Sequence, residues 1–433
     1  MSSDEICPEC NQEYKCYWCE PCNSKHFQNE FNNRTSGNDK IDKFIQDNQL
    51  NADRNWKVIE WIPYYQFKDF KQIGKGGFGT IHYARWIDGS IYERNIENQQ
   101  WKRYRNREVA LKKFDNFVNF NDVLNEMEIH LKIYINNASI RFYGITQDPE
   151  THSYMMVLQY AKDGNLREYL KNNFNNINWE QKLNNLYDIS NRLMEVHELD
   201  IVHQDFHPGN ILSINFENLY SIRISDFGLS KLIGVNSNNP EKKNIFGVLP
   251  YIAPEVLSGD EEYTKAADVY SFGMIAYEIV TGFPPYPDIP HDKDLAMKIC
   301  NGLRPKITFH TPKLITRMIM RCWDARVTHR PTFKELRNEL MKYSSESDYR
   351  YKDSEIGIQI ENSEKLSKNL GLKNSATTTP LNYQTHPQAI YTSRLLDFSK
   401  LPKPKNEENF ERELEELTES MSNLCPSNSD LFI

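Results

Sequence analysis

From Phe67 the chain takes on a strand-like pattern. Gly74, Gly76 and Gly79 lie in IGKGGFGTI between two alternating runs, the second continuing through Ile81, Tyr83 and Arg85. The pattern predicts a hairpin whose glycines let backbone N–H groups approach a phosphate. Plain hairpin glycine is the alternative. A phosphate loop lacks its Gly-Lys-Ser/Thr ending, and a dinucleotide fold lacks the helix it needs after the glycines. Residues 88–107 are polar and basic and read as a long loop. EVALKKF at 108–114 alternates again, with Ala110 and Lys112 on one face and Val109 and Leu111 on the other. The period then becomes helical, and Val123, Glu126, Met127, His130 and Leu131 form one stripe. Glu126 thus faces inward, where an unpaired carboxylate is costly. A Lys112–Glu126 pair resolves both charges. The alternatives are two solvated charges, or Glu128, which falls off the stripe. Strands are expected near 140–147 and 154–160, and residues 159–165 lose all pattern, as a connector between two lobes would.

From Leu166 the pattern is mainly helical. Leu183, Leu186, Tyr187, Leu193 and Met194 mark a long buried helix that leads into IVHQDFHPGNIL at 201–212. There Asp205 and Asn210 flank a Pro208-Gly209 turn. Such a loop can hold a carboxylate at a nucleophilic hydroxyl and an amide at a metal ion, although both are also ordinary turn residues. ISDFGLS places Asp226 between an apolar strand and a glycine. Residues 231–245 carry few apolar positions and end at GVLPYIAPEVL. Val269–Val280 is apolar almost all round, as a central helix is, with Asp268 placed to cap it. Arg330 in HRPTF is a candidate partner for a buried carboxylate.

The flanks differ in composition. Five of the eight cysteines fall within the first 22 residues. CPEC and CEPC set Cys7, Cys10, Cys19 and Cys22 as two pairs able to complete a tetrahedral Zn2+ site, with Cys16 and His26 as competing ligands and unstructured thiols as the alternative. Residues 27–66 read as a polar linker or strap, with a short amphipathic helix at 41–50 and an aromatic run at 56–65 that packs onto the next domain. Residues 344–433 read as disordered, with an acidic segment at 409–424 that is either solvated or helical on a partner. The expected division is a zinc knuckle at 1–26, a strap at 27–66, a catalytic domain at 67–343 and a tail at 344–433. A net charge of −8 argues against nucleic acid as a general partner. No run is long enough to span a membrane, and the first residues lack the apolar core of a secretory signal. An intracellular, cytoplasmic protein is expected, compatible with nuclear entry.

The ordered set IGKGGFG, VALK, Glu126, HQDFHPGN, DFG, APE, DVYSFG and Arg330 resembles the eukaryotic protein kinase family, in its tyrosine-kinase-like branch. The resemblance covers about residues 67–343. It implies an α+β bilobal fold, with a small β-rich lobe at 67–160 bearing one helix and a larger helical lobe at 161–343. It also implies ATP and Mg2+. Gly74, Gly76 and Gly79 would cover the phosphates, with Ile73 in the same ATP-binding set. Lys112 would hold the α- and β-phosphates and pair with Glu126. Ile81, Ala110 and Leu212 would sandwich the adenine beside Leu158, with Gln159–Ala161 as the hinge. Asp205 would accept the substrate proton, Asn210 and Asp226 would bind Mg2+, and Glu255 would pair with Arg330.

Four residues depart from the pattern. Gln204 replaces the Arg that anchors a phosphorylated activation loop, and residues 226–255 carry no Thr and only Ser230 and Ser237, so activity without loop phosphorylation is expected. His207 stands where most Ser/Thr kinases carry Lys, and Val248 replaces a Thr; both bear on the acceptor hydroxyl, expected to be Ser or Thr rather than Tyr. His130 replaces an apolar residue. The implied function is phosphorylation of a protein substrate in intracellular signalling, with the tail and knuckle docking other proteins. The alternatives are a pseudokinase scaffold and a binding module centred on the zinc knuckle.

Overall fold

The computed structural model describes residues 5–14, 18–33, 35–76, 79–114, 120–134, 138–232, 245–346, 353–369, 385–398 and 400–422. The chain divides into two units, Met1–Ala161 and Lys162–Ile433. Together they give the α+β architecture, the first unit rich in strands and the second in helices.

In the first unit six strands lie in the order Glu60–Trp61, Phe142–Gln147, Tyr154–Gln159, Arg107–Phe114, Gly79–Trp86 and Phe67–Gly76. All pairings are antiparallel except that of Glu60–Trp61 with Phe142–Gln147. Lys112 lies opposite Ile81 and Met156, and Ala110 opposite Tyr83 and Leu158. Because side chains alternate, these six share one face. The opposite face carries Ala84, Trp86, Val109, Leu111, Met155 and Val157, which form a buried cluster with Ile62, Phe67 and Tyr143. The helix Phe120–Tyr134 contributes buried Val123 and Met127.

The expected loop at 88–107 is instead a hairpin, Ser90–Asn95 paired with Gln100–Tyr104. Its alternation is aromatic against charged rather than aliphatic against polar, so hydropathy did not reveal it. Trp101 stacks on Phe27 and Trp18 at centroid distances of 4.4 and 6.0 Å. Arg94 lies 4.9 Å from the Trp101 centroid and pairs with Glu30 at 3.1 Å. The strap is largely helical, with Glu20–Glu30 and Asp39–Leu50. The second helix is capped by the Asn38 side chain, which accepts the Lys40 and Ile41 N–H groups.

The second unit is built on Trp179–Glu198 and Lys265–Thr281. The latter is buried almost throughout and stops at Gly282, whose φ of +76° is a left-handed cap. Asp268 does not cap this helix, contrary to expectation. The N-cap position is Thr264, and Asp268 lies a full turn inside with no exposure. Arg330 grips Glu255 with two bonds of 2.7 Å, both residues being buried.

The expectation of a disordered tail is corrected in the described stretches. Residues 353–369 and 400–422 carry the helices Glu355–Asn369 and Phe410–Ser422, and Arg394–Leu396 is a strand paired with Ile245–Gly247. Isolated anchors hold them: buried Ile356, Leu396 and Phe410, a Trp179–Ser363 bond of 3.1 Å, and Asn406, which donates to Asp324 and accepts from the Ala325 N–H. Such sparse anchors leave no apolar period in the sequence. Residues 370–384 and 423–433 lie outside the described set. Among the described residues no helix is long and apolar enough to cross a membrane.

Candidate active site

In the first unit Lys112 Nζ donates to Glu126 Oε1 at 2.5 Å, with both residues buried. The strand period fixes the lysine and the helix period the glutamate. Desolvation makes either charge costly alone, so each fixes the other. Gly74 lies opposite Ile81. At Gly79, φ is +150° and a Cβ would come within 2.0 Å of the Lys113 carbonyl oxygen, so only glycine fits. Gly76 ends its strand, and positions 77 and 78 lie outside the described residues. Ile73 is half exposed, whereas Ala110 and Leu158 are buried on the Lys112 face. The Gln159 N–H donates to Arg141 O at 2.8 Å, and Ala161 is the last residue of the unit. His130 is fully buried in this unit, its ring 6.4 Å from that of Phe142.

In the second unit Asp268 organises the loop at 203–210. It accepts the His203 N–H at 2.9 Å, the Gln204 N–H at 3.3 Å and a bond from His197 Nε2 at 2.9 Å. Gln204 takes a φ of +68°. His203 donates from Nε2 to Ser225 O at 3.0 Å and accepts the Asp205 N–H on Nδ1 at 3.3 Å, a neutral tautomer. Burial pushes its pKa down, in keeping with that form. Asp205 is itself buried. Burial alone would raise its carboxyl, but the neighbouring His207 ring and the bond from Ser393 hold it below the usual carboxylate range.

Asn210 Nδ2 donates to Asp205 O at 2.9 Å, which turns the amide oxygen away from the loop. The hairpin Ile211–Ser213 with Ile222–Ile224 sets Ile211 opposite Ile224, and the Ser225 N–H donates to Asn210 O at 2.9 Å. Asn210 and Asp226 therefore flank one hairpin end. An amide oxygen and a carboxylate are the hard oxygen donors that Mg2+ takes, so the pair fits that ion. Leu212 lies opposite Arg223 in the same hairpin.

A tail residue meets this loop. Ser393 Oγ donates to Asp205 Oδ2 at 2.5 Å and lies 3.1 Å from His207 Nε2. His207 Nδ1 accepts the Gly209 N–H at 3.0 Å, so the ring proton is on Nε2 and is donated to Ser393 Oγ. The hydroxyl is thus held by one donor and one acceptor. The sequence singled out His207 but not its contact. Ser393 and Asp268 went unrecognised in these roles. Asp268 opens the DVYSFG motif beside the apolar run, and that motif was the available signal. Ser230 is buried and donates to His203 O at 3.1 Å, while Ser237 lies outside the described residues.

Near the N-terminus the sulfurs of Cys7, Cys10, Cys19 and Cys22 all lie within 4.8 Å of one another, with Cys7–Cys22 at 3.8 Å and Cys10–Cys19 at 3.6 Å. Sulfur ligands at about 2.3 Å on a tetrahedron lie roughly 3.8 Å apart, so the set fits Zn2+. Burial pushes the Cys19 thiol up to about 11, a cost that a central dication removes. His26 instead pairs with Glu9 at 2.9 Å, and Cys16 lies outside the described residues.

Residues 67–340 match the family model of the protein tyrosine and serine/threonine kinases. The chain is 30% identical over 289 residues to a probable serine/threonine-protein kinase, pats1, of Dictyostelium discoideum, covering 65% of this chain and 8% of that protein. It is 31% identical over 301 residues to the serine/threonine-protein kinase VIK of Arabidopsis thaliana, covering 66% and 62%. It is 29% identical over 278 residues to the tyrosine-protein kinase SPK-1 of Girardia tigrina, covering 62% and 51%. The chain thus spans less than two thirds of the length of each of these curated relatives. The extent of the family match places the chain in the protein tyrosine and serine/threonine kinase family.

Proposed function

We propose that this protein is an active, ATP-dependent protein kinase that phosphorylates serine or threonine hydroxyls of protein substrates in signalling. The observation that carries the reading is the serine hydroxyl held between Asp205 and His207. A backbone at this depth brings a serine or threonine oxygen to Asp205, whereas a tyrosine oxygen lies a whole ring farther out. The relatives with printed serine/threonine specificity support the same acceptor class.

In this reading Lys112, fixed by Glu126, holds the α- and β-phosphates, and Gly74, Gly76 and Gly79 let the backbone close over them. Ile73, Ile81, Ala110, Leu158 and Leu212 supply the apolar contacts to the adenine, and Gln159–Ala161 supply its backbone partners. Asn210 and Asp226 hold the metal. When bound, Mg·ATP supplies the phosphoryl group, and the ion offsets its charge. Asp205 orients the acceptor hydroxyl and takes its proton, and His207 fixes the oxygen from the other side. With Ser230 buried and neutral Gln204 unable to pair with a phosphate, activity requires no phosphate on the activation loop.

A peptide array with serine, threonine and tyrosine acceptors, incubated with Mg·ATP, tests the reading. Transfer to serine and threonine peptides is expected, lowered by about 10²–10⁴ in Asp205→Asn. Nucleotide binding without transfer in the wild type would instead identify a pseudokinase.

A further inference from the structure

The tail does more than touch Asp205. Arg394, Leu395 and Leu396 pair in antiparallel register with Gly247, Phe246 and Ile245. The stretch preceding Ser393 is bound as well. Tyr391 O accepts from Arg167 Nη1 at 2.8 Å, the Tyr391 hydroxyl donates to Pro285 O at 2.8 Å, and the His291 N–H donates to Gln388 O at 2.9 Å. Arg167 is in turn held by Glu278 at 3.4 Å and stacks 4.9 Å from the Tyr391 ring centroid. On the other side Leu396 is buried among Leu249, Ile252, Leu257 and Ile299, and Arg394 donates to His291 O. Gly247 adopts a φ of +141°, and a Cβ there would lie 3.4 Å from Asp205 Oδ1. That backbone conformation favours glycine, and it sets the pairing strand beside the carboxylate.

The geometry points to Ser393 as a self-phosphorylation site, with residues 385–398 bound as a tethered acceptor peptide on the same chain. The inference rests on the kinase activity proposed above. In the step, Ser393 Oγ forms a bond to the γ-phosphorus of Mg·ATP while the bond from that phosphorus to the β–γ bridging oxygen breaks. The hydroxyl proton passes to Asp205, and the electron pair of the broken bond leaves with ADP. Before this step the segment competes with other acceptors. After it, the new phosphate faces the Asp205 carboxylate, and like-charge repulsion drives the strand off. The segment also defines a substrate class: a serine followed by a basic residue at the next position and an apolar residue three positions on.

The test uses the dephosphorylated full-length chain with Mg·ATP, phosphosite mapping by mass spectrometry, and casein as a separate acceptor. Phosphate is expected at Ser393, with a rate constant that does not change on dilution. Leu396→Asp keeps the hydroxyl but removes the anchor. It should slow Ser393 modification about tenfold or more and speed transfer to casein. Hydrogen exchange without nucleotide gives an independent readout, with amides of 245–247 and 394–396 protected in the wild type and exposed in Leu396→Asp. Casein phosphorylation with Ser393 unmodified would overturn the self-phosphorylation site and leave the kinase reading standing. A Ser393 rate that rises with protein concentration would overturn the tethered geometry. No transfer to either acceptor would overturn both readings.

Discussion

The two flanks of the catalytic domain dock by different physics. The N-terminal flank concentrates its anchors. Four sulfurs converge within 4.8 Å, and Trp18, Phe27 and Trp101 stack beside them on the hairpin at 90–104. These stacking contacts lie within the first unit. The C-terminal flank spreads its anchors thinly, through Ile356, Ser363, Leu396, Asn406 and Phe410, and its Ser393 hydroxyl reaches the buried Asp205 carboxylate in the second unit. A module centred on a metal ion at these sulfurs would not detach piecemeal, because removing the ion would remove its fold. A strand held by main-chain pairing, Leu396 and a few polar contacts can leave without disturbing the domain beneath it. The first arrangement suits a permanent fixture and the second a reversible one.

Metal removal tests the contrast most severely. Structural zinc in small modules is worth on the order of 10 kcal/mol. Chelation, or Cys19→Ser, should therefore unfold residues 5–33, as read by hydrogen exchange, and leave the protection of 245–247 intact. Metal analysis of the wild type should return zinc. Trp101→Ala comes next, costing about 3 kcal/mol of module docking through lost stacking, measured by denaturant titration followed at the hairpin amides. Leu396→Ala should cost about 2–3 kcal/mol of strand docking with no change in global unfolding. Acid should have the smallest effect. Burial alone would raise the Asp324 carboxyl, but bonds from Arg326 and Asn406 lower it beneath its ordinary 3.8. Its contribution to holding Asn406 is thus complete above 3.8 and is lost as pH falls through the lower folded value. Because its ion-pair partner Arg326 is well exposed and screened by solvent, the loss stays under about 1 kcal/mol. Trp323 fluorescence through an acid titration should show it.

The sequence made legible what short periods control. Lys112 and Glu126 were paired from a strand period of two and a helix stripe, and the 2.5 Å bond follows from those periods. Asp205, Asn210 and Asp226 sat in recognisable loops, and Arg330 had an expected acid in Glu255. The hairpin at 90–104 was missed because it buries aromatic rings under guanidinium groups, so its inward face does not register as apolar. Asp268 was assigned to a helix end from its place beside an apolar run. Its actual partners, the N–H groups of His203 and Gln204, lie more than sixty positions earlier. The Ser393 contact was least legible. It depends on pairing 394–396 with 245–247, and nothing local to RLL distinguishes a bound strand from a polar tail.

Steady-state transfer to a serine peptide tests most directly whether the tail occupies the acceptor position of a working kinase. Full-length Ser393→Ala keeps the strand docked without a self-acceptor, and adding Leu396→Asp releases it. The expected result is a peptide KM about tenfold lower in the double variant, with the KM for ATP unchanged. Equal peptide KM values in the two proteins would contradict the account, since a strand that does not compete for Asp205 does not lie in the acceptor site.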